Sequence, residues 1–214
     1  MAKAADASRR NSELKRRILV SGRAILMTSG YSGFNMDNLA LELGLSKKTL
    51  YALFSGKREL AAEIADATIV AWNAELEAAL GKKYKNFPLK LQATALFIFE
   101  KYNLVPNNLL ADLKRYAPEL WRKVYDWKKE IISTQFGRLY DEGVAAGFFS
   151  PKVNKKIAID CYCAAEAALL SPEYLSASKL QPKKIQEEIF RIMLYGIASG
   201  PKLKKSLHPE DAYE

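Results

Sequence analysis

The sequence predicts an all-α fold, with a three-helix N-terminal domain that contains a helix-turn-helix and a larger helical domain behind it. Three observations predict this fold. Apolar residues recur at three- and four-residue spacing along most of the chain, no segment alternates with the two-residue period of a strand, and Gly or Pro separates the periodic segments. The 214 residues are 49% hydrophobic and 27% charged, which is an ordinary globular composition and excludes disordered and collagen-like chains.

The first predicted helix covers residues 9–29, and Gly30 is a suitable C-terminal cap for it. Basic residues lie between apolar positions at helical spacing, which are Leu14, Ile18, Ile25 and Leu26. Small side chains at Ser21 and Gly22 let another helix approach closely, which a bulkier pair would prevent. We therefore expect a second helix to cross the first one at this point.

Two short helices joined by a glycine turn follow, which is the pattern of a helix-turn-helix. Asn35 is predicted to cap the first of them, and Gly44 stops it. Ser46 is predicted to cap the second, which runs to about Phe54. The outward face of this second helix carries amines, hydroxyls and a small side chain, and it consists of Lys47, Lys48, Thr49, Tyr51 and Ala52. A face without carboxylates suits the major groove of DNA, because carboxylates would repel the phosphates.

Positive charge is concentrated in the same part of the chain. The whole sequence carries a net charge of +9, and residues 1–60 hold +6 of it. Such a balance favours a polyanionic partner, either a nucleic acid or an anionic membrane surface. Each basic residue alone is equally compatible with a solvated surface around a packing corner. The coincidence of the turn, the carboxylate-free face and the localised charge favours nucleic acid.

The most specific run of residues lies in and just behind the second short helix. It consists of Thr49-Leu50-Tyr51, followed by Phe54 and Lys57. With this run, residues 18–60 resemble, without a gap, the DNA-binding domain of the TetR (tetracycline-repressor-like) transcriptional regulators. One departure is Ala52-Leu53, which replaces a common aromatic or His pair, and Ala52 is not among the implied contacts.

The resemblance implies a role for each matching residue. Base and phosphate contacts are implied for Lys47, Lys48 and Thr49, and further phosphate contacts come from other positions of the motif. The complete set of predicted DNA-binding residues is Asn35, Ser46, Lys47, Lys48, Thr49, Tyr51 and Lys57. The implied partner is double-stranded DNA.

The rest of the chain is predicted to be a helical body. Its predicted helices cover residues 57–80, 88–102, 108–116, 118–142, 155–170 and 182–199. We expect three parts in the chain: a helix-turn-helix domain at residues 1–56, a ligand-binding and dimerisation domain at 57–200, and a loose tail at 201–214.

The resemblance also implies a homodimer, in which the last two main helices pair with their copies as a four-helix bundle. The predicted helix at residues 155–170 is rich in Ala, and small side chains allow helix axes to pack closely across a two-fold axis. The alternative is that both helices merely close the core of the monomer, since Ala is also a good helix former. One helix-turn-helix covers a half-site, so that a dimer would read a palindromic operator.

Aromatic residues are concentrated in the middle of the chain. In TetR-like regulators the helical body holds a small-molecule pocket, and an aromatic cluster suits a hydrophobic effector. The candidate ligand-binding residues are Phe97, Tyr102, Trp121, Tyr125, Phe136 and Tyr140. Aromatic residues at helical spacing are equally compatible with a plain hydrophobic core.

The sequence has few residues for catalysis or for metal binding. His208 is the only histidine, so we expect no catalytic triad, no metal site, no cofactor and no enzyme activity. Cys161 and Cys163 are predicted to be small core residues in a reducing compartment. No apolar run approaches the ~20 residues of a membrane span, and we expect a cytoplasmic protein without a membrane partner.

The sequence thus predicts a ligand-responsive, homodimeric DNA-binding regulator. The resemblance implies that it represses transcription by occupying a palindromic operator and is released by a small molecule. The main alternative is a helical small-molecule-binding or interaction protein that does not read DNA specifically, for which the pair Ala52-Leu53 is the best support. A lyase or transferase that uses Tyr and carboxylates is a further alternative.

Overall fold

The computed structural model describes residues 2–199, and the described chain is built of helices. Its α-helices are α1 Ala2–Gly33, α2 Met36–Glu42, α3 Lys47–Leu53, α4 Lys57–Leu80, α5 Phe87–Asn103, α6 Asn107–Tyr116, α7 Pro118–Ile131, α8 Gly137–Ala145, α9 Lys155–Leu169, α10 Pro172–Ala177 and α11 Pro182–Ile197. A π-helical turn, Ile132–Phe136, joins α7 to α8. An isolated bridge pairs Phe149 with Ala198, and residues 2–199 contain no strand. The all-α prediction is confirmed.

The chain forms two compact units. The first unit contains the chain up to Ala74 together with Val105–Tyr125, and the second contains Glu75–Leu104 together with the chain from Asp126 onward. The domain boundaries after residues 56 and 200 stay a prediction. The predicted tail at 201–214, with His208, lies outside the described residues.

The core of the first unit combines the helix-turn-helix with two helices from the middle of the sequence. Helices α6 and α7 contribute Leu109, Leu113 and Leu120 to it. The residues that are at most 1% exposed are Ile18, Leu39, Leu50, Phe54, Leu60 and Ala117. Helix α6 therefore completes the unit that carries the helix-turn-helix, although it follows that motif by more than fifty residues.

Two glycines set the path of α1. Gly30 interrupts the helical backbone with a φ of +71°, a conformation that L side chains rarely adopt, so the predicted stop at this residue is confirmed as a kink. An added Cβ at Gly22 would lie 2.8 Å from Cδ1 of Ile64. The absence of a side chain at Gly22 therefore leaves room for the buried Ile64 of α4, in line with the role that the sequence predicts for the pair Ser21-Gly22.

The second unit has its own core around Phe149, which is 1% exposed. Helices α5, α8, α9 and α11 all contribute to this core. Its other buried hydrophobic residues are Leu91, Ile132, Phe136, Leu139, Tyr140, Ala158, Ile159, Tyr162, Ile185, Ile189, Leu194 and Ile197. Both units therefore have a core of their own.

Three sequence predictions need correction. The predicted helix at 118–142 contains the π-helical turn, and α10 was not predicted, although Ser171 caps it by accepting a hydrogen bond from the backbone N–H of Tyr174. The prediction that both cysteines lie in the core is wrong for Cys161, which is exposed. Cys163 is half-buried, and this burial raises the pKa of its thiol.

Candidate nucleic-acid interface

Helix α2, the first helix of the helix-turn-helix, begins at a side-chain cap. The Oδ1 atom of Asn35 accepts hydrogen bonds from the backbone N–H of Asp37 at 2.7 Å and of Asn38 at 3.2 Å. Gly44, with a φ of +66°, forms the turn that follows α2. The predicted cap and the predicted stop are both confirmed. The phosphate contact of Asn35 stays a prediction.

Helix α3 is the predicted recognition helix, and two hydroxyl groups organise its first turn. Oγ of Ser46 accepts a hydrogen bond from the backbone N–H of Thr49 at 3.0 Å and lies 2.8 Å from Oγ1 of the same residue. Leu50 and Phe54 are buried and anchor the helix in the core of the first unit. Ser46 and Thr49 therefore define where α3 begins and how it is oriented, in addition to any contact with DNA.

The outer face of α3 exposes Lys47, Lys48, Tyr51 and Ala52. Tyr51 is 47% exposed. Lys48 has no ion-pair partner within residues 2–199, which leaves its amine available for a phosphate or a base. No residue of α3 is a carboxylate. This face combines a cation and a phenol, both of which commonly contact DNA phosphates.

Lys47 differs from Lys48, because it is paired with a carboxylate. Its Nζ atom lies 2.5 Å from Oδ2 of Asp37 on α2. This hydrogen bond raises the pKa of Lys47, so the amine is firmly charged at neutral pH. Sequence reasoning missed Asp37, which is ten positions away and becomes a neighbour only when the helix-turn-helix has folded.

Lys57 lies at the start of α4 and is held against the kink of α1. Its Nζ atom is 4.5 Å from the centroid of the Tyr31 ring and donates a hydrogen bond of 3.3 Å to the carbonyl oxygen of Ser32. Partial burial lowers the pKa of Lys57, and the nearby carboxylate of Asp112 partly opposes this effect. A phosphate that binds Lys57 would therefore share its amine with the Tyr31 ring and the Ser32 carbonyl, or displace them.

The kink of α1 is tied to α6 through Asp112. Oδ2 of Asp112 accepts hydrogen bonds from the backbone N–H of Ser32 at 2.8 Å and from its hydroxyl at 2.5 Å. These bonds lower the pKa of Asp112. An added Cβ at Gly30 would lie 2.7 Å from the same oxygen, so a glycine is needed here for space as well as for its backbone conformation. The sequence contains no local signal for this contact.

The predicted ligand-binding residues are divided between the two units. Trp121 and Tyr125 belong to the first unit, where their rings stack at 5.2 Å. Phe136 and Tyr140 pack on Phe149 in the core of the second unit, with centroid distances of 6.5 and 5.8 Å. Phe97, half-buried on α5, also belongs to the second unit, and the side chain of Tyr102 lies outside the described part of the structure.

A buried polar cluster in the second unit was missed by sequence reasoning. Glu166 on α9 is 4% exposed, and its carboxylate lies 2.7 Å from Nζ of Lys128 and 3.0 Å from the hydroxyl of Tyr162. The amide nitrogen of Gln186 on α11 donates a longer hydrogen bond of 3.4 Å to Glu166. Oε1 of Gln186 is buried and has no hydrogen-bond partner among the described residues. The only sequence signal is a single Glu within the Ala-rich helix α9.

Residues 2–199 contain neither a cluster of potential metal ligands nor a helix that could span a membrane. No group of three or more His, Cys, Asp or Glu side chains lies close enough together there to hold a metal ion. Within the same range, no helix is long and apolar enough to cross a membrane.

Comparison with known proteins identifies the N-terminal part of the chain. Residues 18–64 match the family model of the bacterial regulatory proteins of the tetR family. The uncharacterized HTH-type transcriptional regulator YvaF of Bacillus subtilis is 24% identical over 190 residues, which is 87% of this chain and 96% of that protein. The similarity to YvaF therefore extends well beyond the matched domain.

Solved structures share the fold of most of the chain. A TetR-family transcriptional regulator from Agrobacterium tumefaciens has a TM-score of 0.63 at 18% identity, with 87% of this chain and 98% of that chain covered. The fatty acid degradation regulator FadR from Bacillus halodurans has a TM-score of 0.61 at 15% identity, with 85% and 95% covered. At such identities the likeness shows a common fold.

Proposed function

We propose that this chain is a transcriptional regulator of the TetR family, which its N-terminal match supports, and that it represses transcription by binding a palindromic operator as a homodimer. A small-molecule effector then releases it. The observation that carries the proposal is the exposed face of α3, on which Lys48 and Tyr51 lie without a carboxylate on the same helix. Its partner is chromosomal DNA, so its place of action is the cytoplasm.

The proposed dimer interface is formed by α9 and α11, which pack against each other in the second unit. Helix α9 exposes a row of small or apolar side chains, which consists of Ile157, Cys161, Ala164 and Ala168. Helix α11 exposes Ile192 by 70% and Tyr195 by 38%. Small side chains let helix axes approach closely, and a two-fold axis brings the same face of both copies together.

Two copies are also what DNA recognition needs. One helix-turn-helix covers one half-site, and two copies about 34–36 Å apart read two half-sites on the same side of the duplex. Dilution of the protein to a monomer is therefore expected to abolish specific binding.

We place the effector in the helical body, where the aromatic residues were predicted to bind it. Support comes from the second unit, in which Phe97 is half-buried and Oε1 of Gln186 is a buried acceptor without a described partner. Buried acceptors are almost always paired, so an unpaired one is a candidate contact for a ligand that donates a hydrogen bond. Release from DNA requires that the effector binds the free and the DNA-bound states with different affinity.

The effector claim is tested by titrating intrinsic Trp fluorescence with candidate ligands, with and without operator DNA. A lower affinity for the ligand in the presence of DNA supports the claim, because linkage is reciprocal. Identical affinities in the two titrations remove it.

The DNA-binding claim is tested by the salt dependence of binding to a random duplex, measured by fluorescence anisotropy between about 50 and about 200 mM salt. Each phosphate that a Lys or Arg neutralises contributes about −0.9 to the slope of log K against log salt. We expect a steep slope for the wild-type protein and a slope shallower by about one unit for Lys48→Ala. A flat response contradicts the proposal and favours a helical ligand-binding or interaction protein.

A further inference from the structure

The ion pair between Asp37 and Lys47 joins the two helices of the helix-turn-helix. Asp37 lies in the first turn of α2, where its backbone N–H is bound by the cap residue Asn35. Lys47 is the first residue of α3, and its side chain is 67% exposed. The distance of 2.5 Å between Nζ and Oδ2 places the amine beside α2 on the predicted DNA-binding face.

A carboxylate at this place opposes sequence-independent binding. Affinity for random DNA comes from Lys and Arg side chains that neutralise phosphates and release counterions. Lys47 is already paired with Asp37, so its amine contributes less to phosphate binding than that of an unpaired lysine. The neighbouring Lys48 has no such partner within residues 2–199. The two adjacent lysines are therefore unequal, although the sequence shows them as a simple pair.

A lysine ammonium has three N–H donors, and the bond to Asp37 uses one of them. Two donors remain, which is enough for O6 and N7 of a guanine, the base that Lys and Arg read in the major groove. The first residues of a recognition helix are the ones that contact base edges. Lys47 occupies this position in α3.

We propose that Asp37 is a positioning residue that holds Lys47 for a guanine in the operator and lowers the affinity of the protein for random DNA. This inference rests on the proposed DNA-binding function. It assigns Lys47 to base reading and leaves the phosphate contacts to Lys48 and Tyr51. Sequence selectivity then depends on an acidic residue that lies outside the recognition helix.

The variant that tests the inference is Asp37→Asn, which keeps the size of the side chain and removes its charge. We expect it to bind random DNA several-fold more tightly, with a salt slope steeper by about one unit, because Lys47 becomes free to neutralise a phosphate. The ratio of operator to random affinity falls. Replacement of the guanine in the operator costs the variant less affinity than it costs the wild type.

A matched control is Asp66→Asn, which removes the same charge from an ion pair with Lys123 at 2.6 Å in the same unit, outside the helix-turn-helix. We expect its salt slope and its operator-to-random ratio to stay at the wild-type values. In a Lys47→Gln background, Asp37→Asn is expected to change that ratio no further. A ratio that still changes in this background shows that Asp37 does not act through Lys47 and overturns the inference.

The two claims fail in different ways. If the wild-type protein shows no salt-dependent binding to DNA, the proposed function fails. If the wild type selects an operator, while Asp37→Asn behaves like Asp66→Asn on both operator and random DNA, only the role of Asp37 is overturned.

Discussion

Single residues at the kink of α1 connect distant parts of the sequence. Asp112 from α6 accepts two hydrogen bonds from Ser32, and Lys57 from α4 donates to the carbonyl oxygen of the same residue. Gly30 leaves the space that this arrangement needs. One side chain of α6 therefore stabilises a backbone conformation next to α2.

Asp112→Ala is expected to destabilise the protein by about 1–2 kcal/mol at neutral pH, because Ser32 loses its charged acceptor in a partly exposed site. The folded pKa of Asp112 is lowered, so its contribution is complete above the ordinary aspartate pKa of about 3.9 and is lost as the pH falls through the lower folded value. Urea unfolding of both proteins at neutral pH and near pH 3 measures this effect. Ser32→Ala, which removes one of the two bonds, is expected to cost less.

An equal difference in unfolding free energy between wild type and Asp112→Ala at both pH values would contradict this account of the contact. The loss would then come from packing alone and not from the ionised carboxylate.

The sequence is informative about residues whose partners are local. Asn35 and Ser46 are predictable as caps, because each bonds to backbone N–H groups at most three positions away. The pair of Lys47 with Asp37 spans ten positions, and that of Ser32 with Asp112 spans eighty. Such pairs depend on how helices pack, which periodicity does not encode.

At the scale of elements, the stop signals of the sequence are reliable. Gly44 forms its turn, and Gly81 follows directly after α4. The spacing of apolar residues did not predict the π-helical turn. One extra residue in a helical turn hardly changes an apolar pattern with a period near 3.6. The short helix α10 was missed, although Ser171-Pro172, directly after the predicted helix at 155–170, is a helix start signal.

Helix α8 packs against an aromatic cluster through Gly143. An added Cβ there would lie 2.7 Å from Cζ of Phe87 and closer still to the buried ring of Phe149. We expect Gly143→Ala to destabilise the protein by about 1–3 kcal/mol, because the packed rings must move. Thermal or urea unfolding measures the loss.

The matched control is Gly137→Ala, on the same helix, where an added Cβ would meet nothing within 4 Å. This change is expected to be neutral or to stabilise the protein by up to about 1 kcal/mol, since Ala favours a helix more than Gly does. Equal effects of the two substitutions would show that the rings around Gly143 do not limit its size.

At the scale of the whole molecule, the segments that make up each of the two compact units were not evident from the sequence. The unit with the helix-turn-helix includes Val105–Tyr125, which the sequence pattern assigns to the helical body. Linear order and helical periodicity give no sign that this segment packs with the N-terminal helices. The fold class could be predicted because apolar spacing, caps and the absence of strand patterns all agree.

The proposed dimer predicts that a charged side chain at position 192 weakens the association of two copies. Ile192→Glu places a charge on the exposed face of α11 and is expected to raise the dimer dissociation constant at least about tenfold, because both copies bury the same face at a two-fold axis. Sedimentation equilibrium measures it. The control is Val70→Glu, which changes an equally exposed apolar residue on α4.

A dimer that both variants leave intact would contradict the assignment of this face. Loss of the dimer in Val70→Glu alone would move the interface to α4.

The most direct test of the central claim is to select fragments of genomic DNA with the purified protein and to sequence them, with Lys48→Ala/Tyr51→Ala as the control. Both residues lie on the exposed face of α3, away from its buried anchors Leu50 and Phe54, so the variant is expected to fold. We predict discrete palindromic sites that are enriched by the wild type and absent with the double variant. No enrichment over the variant would contradict the claim that this chain is a sequence-specific, dimeric regulator.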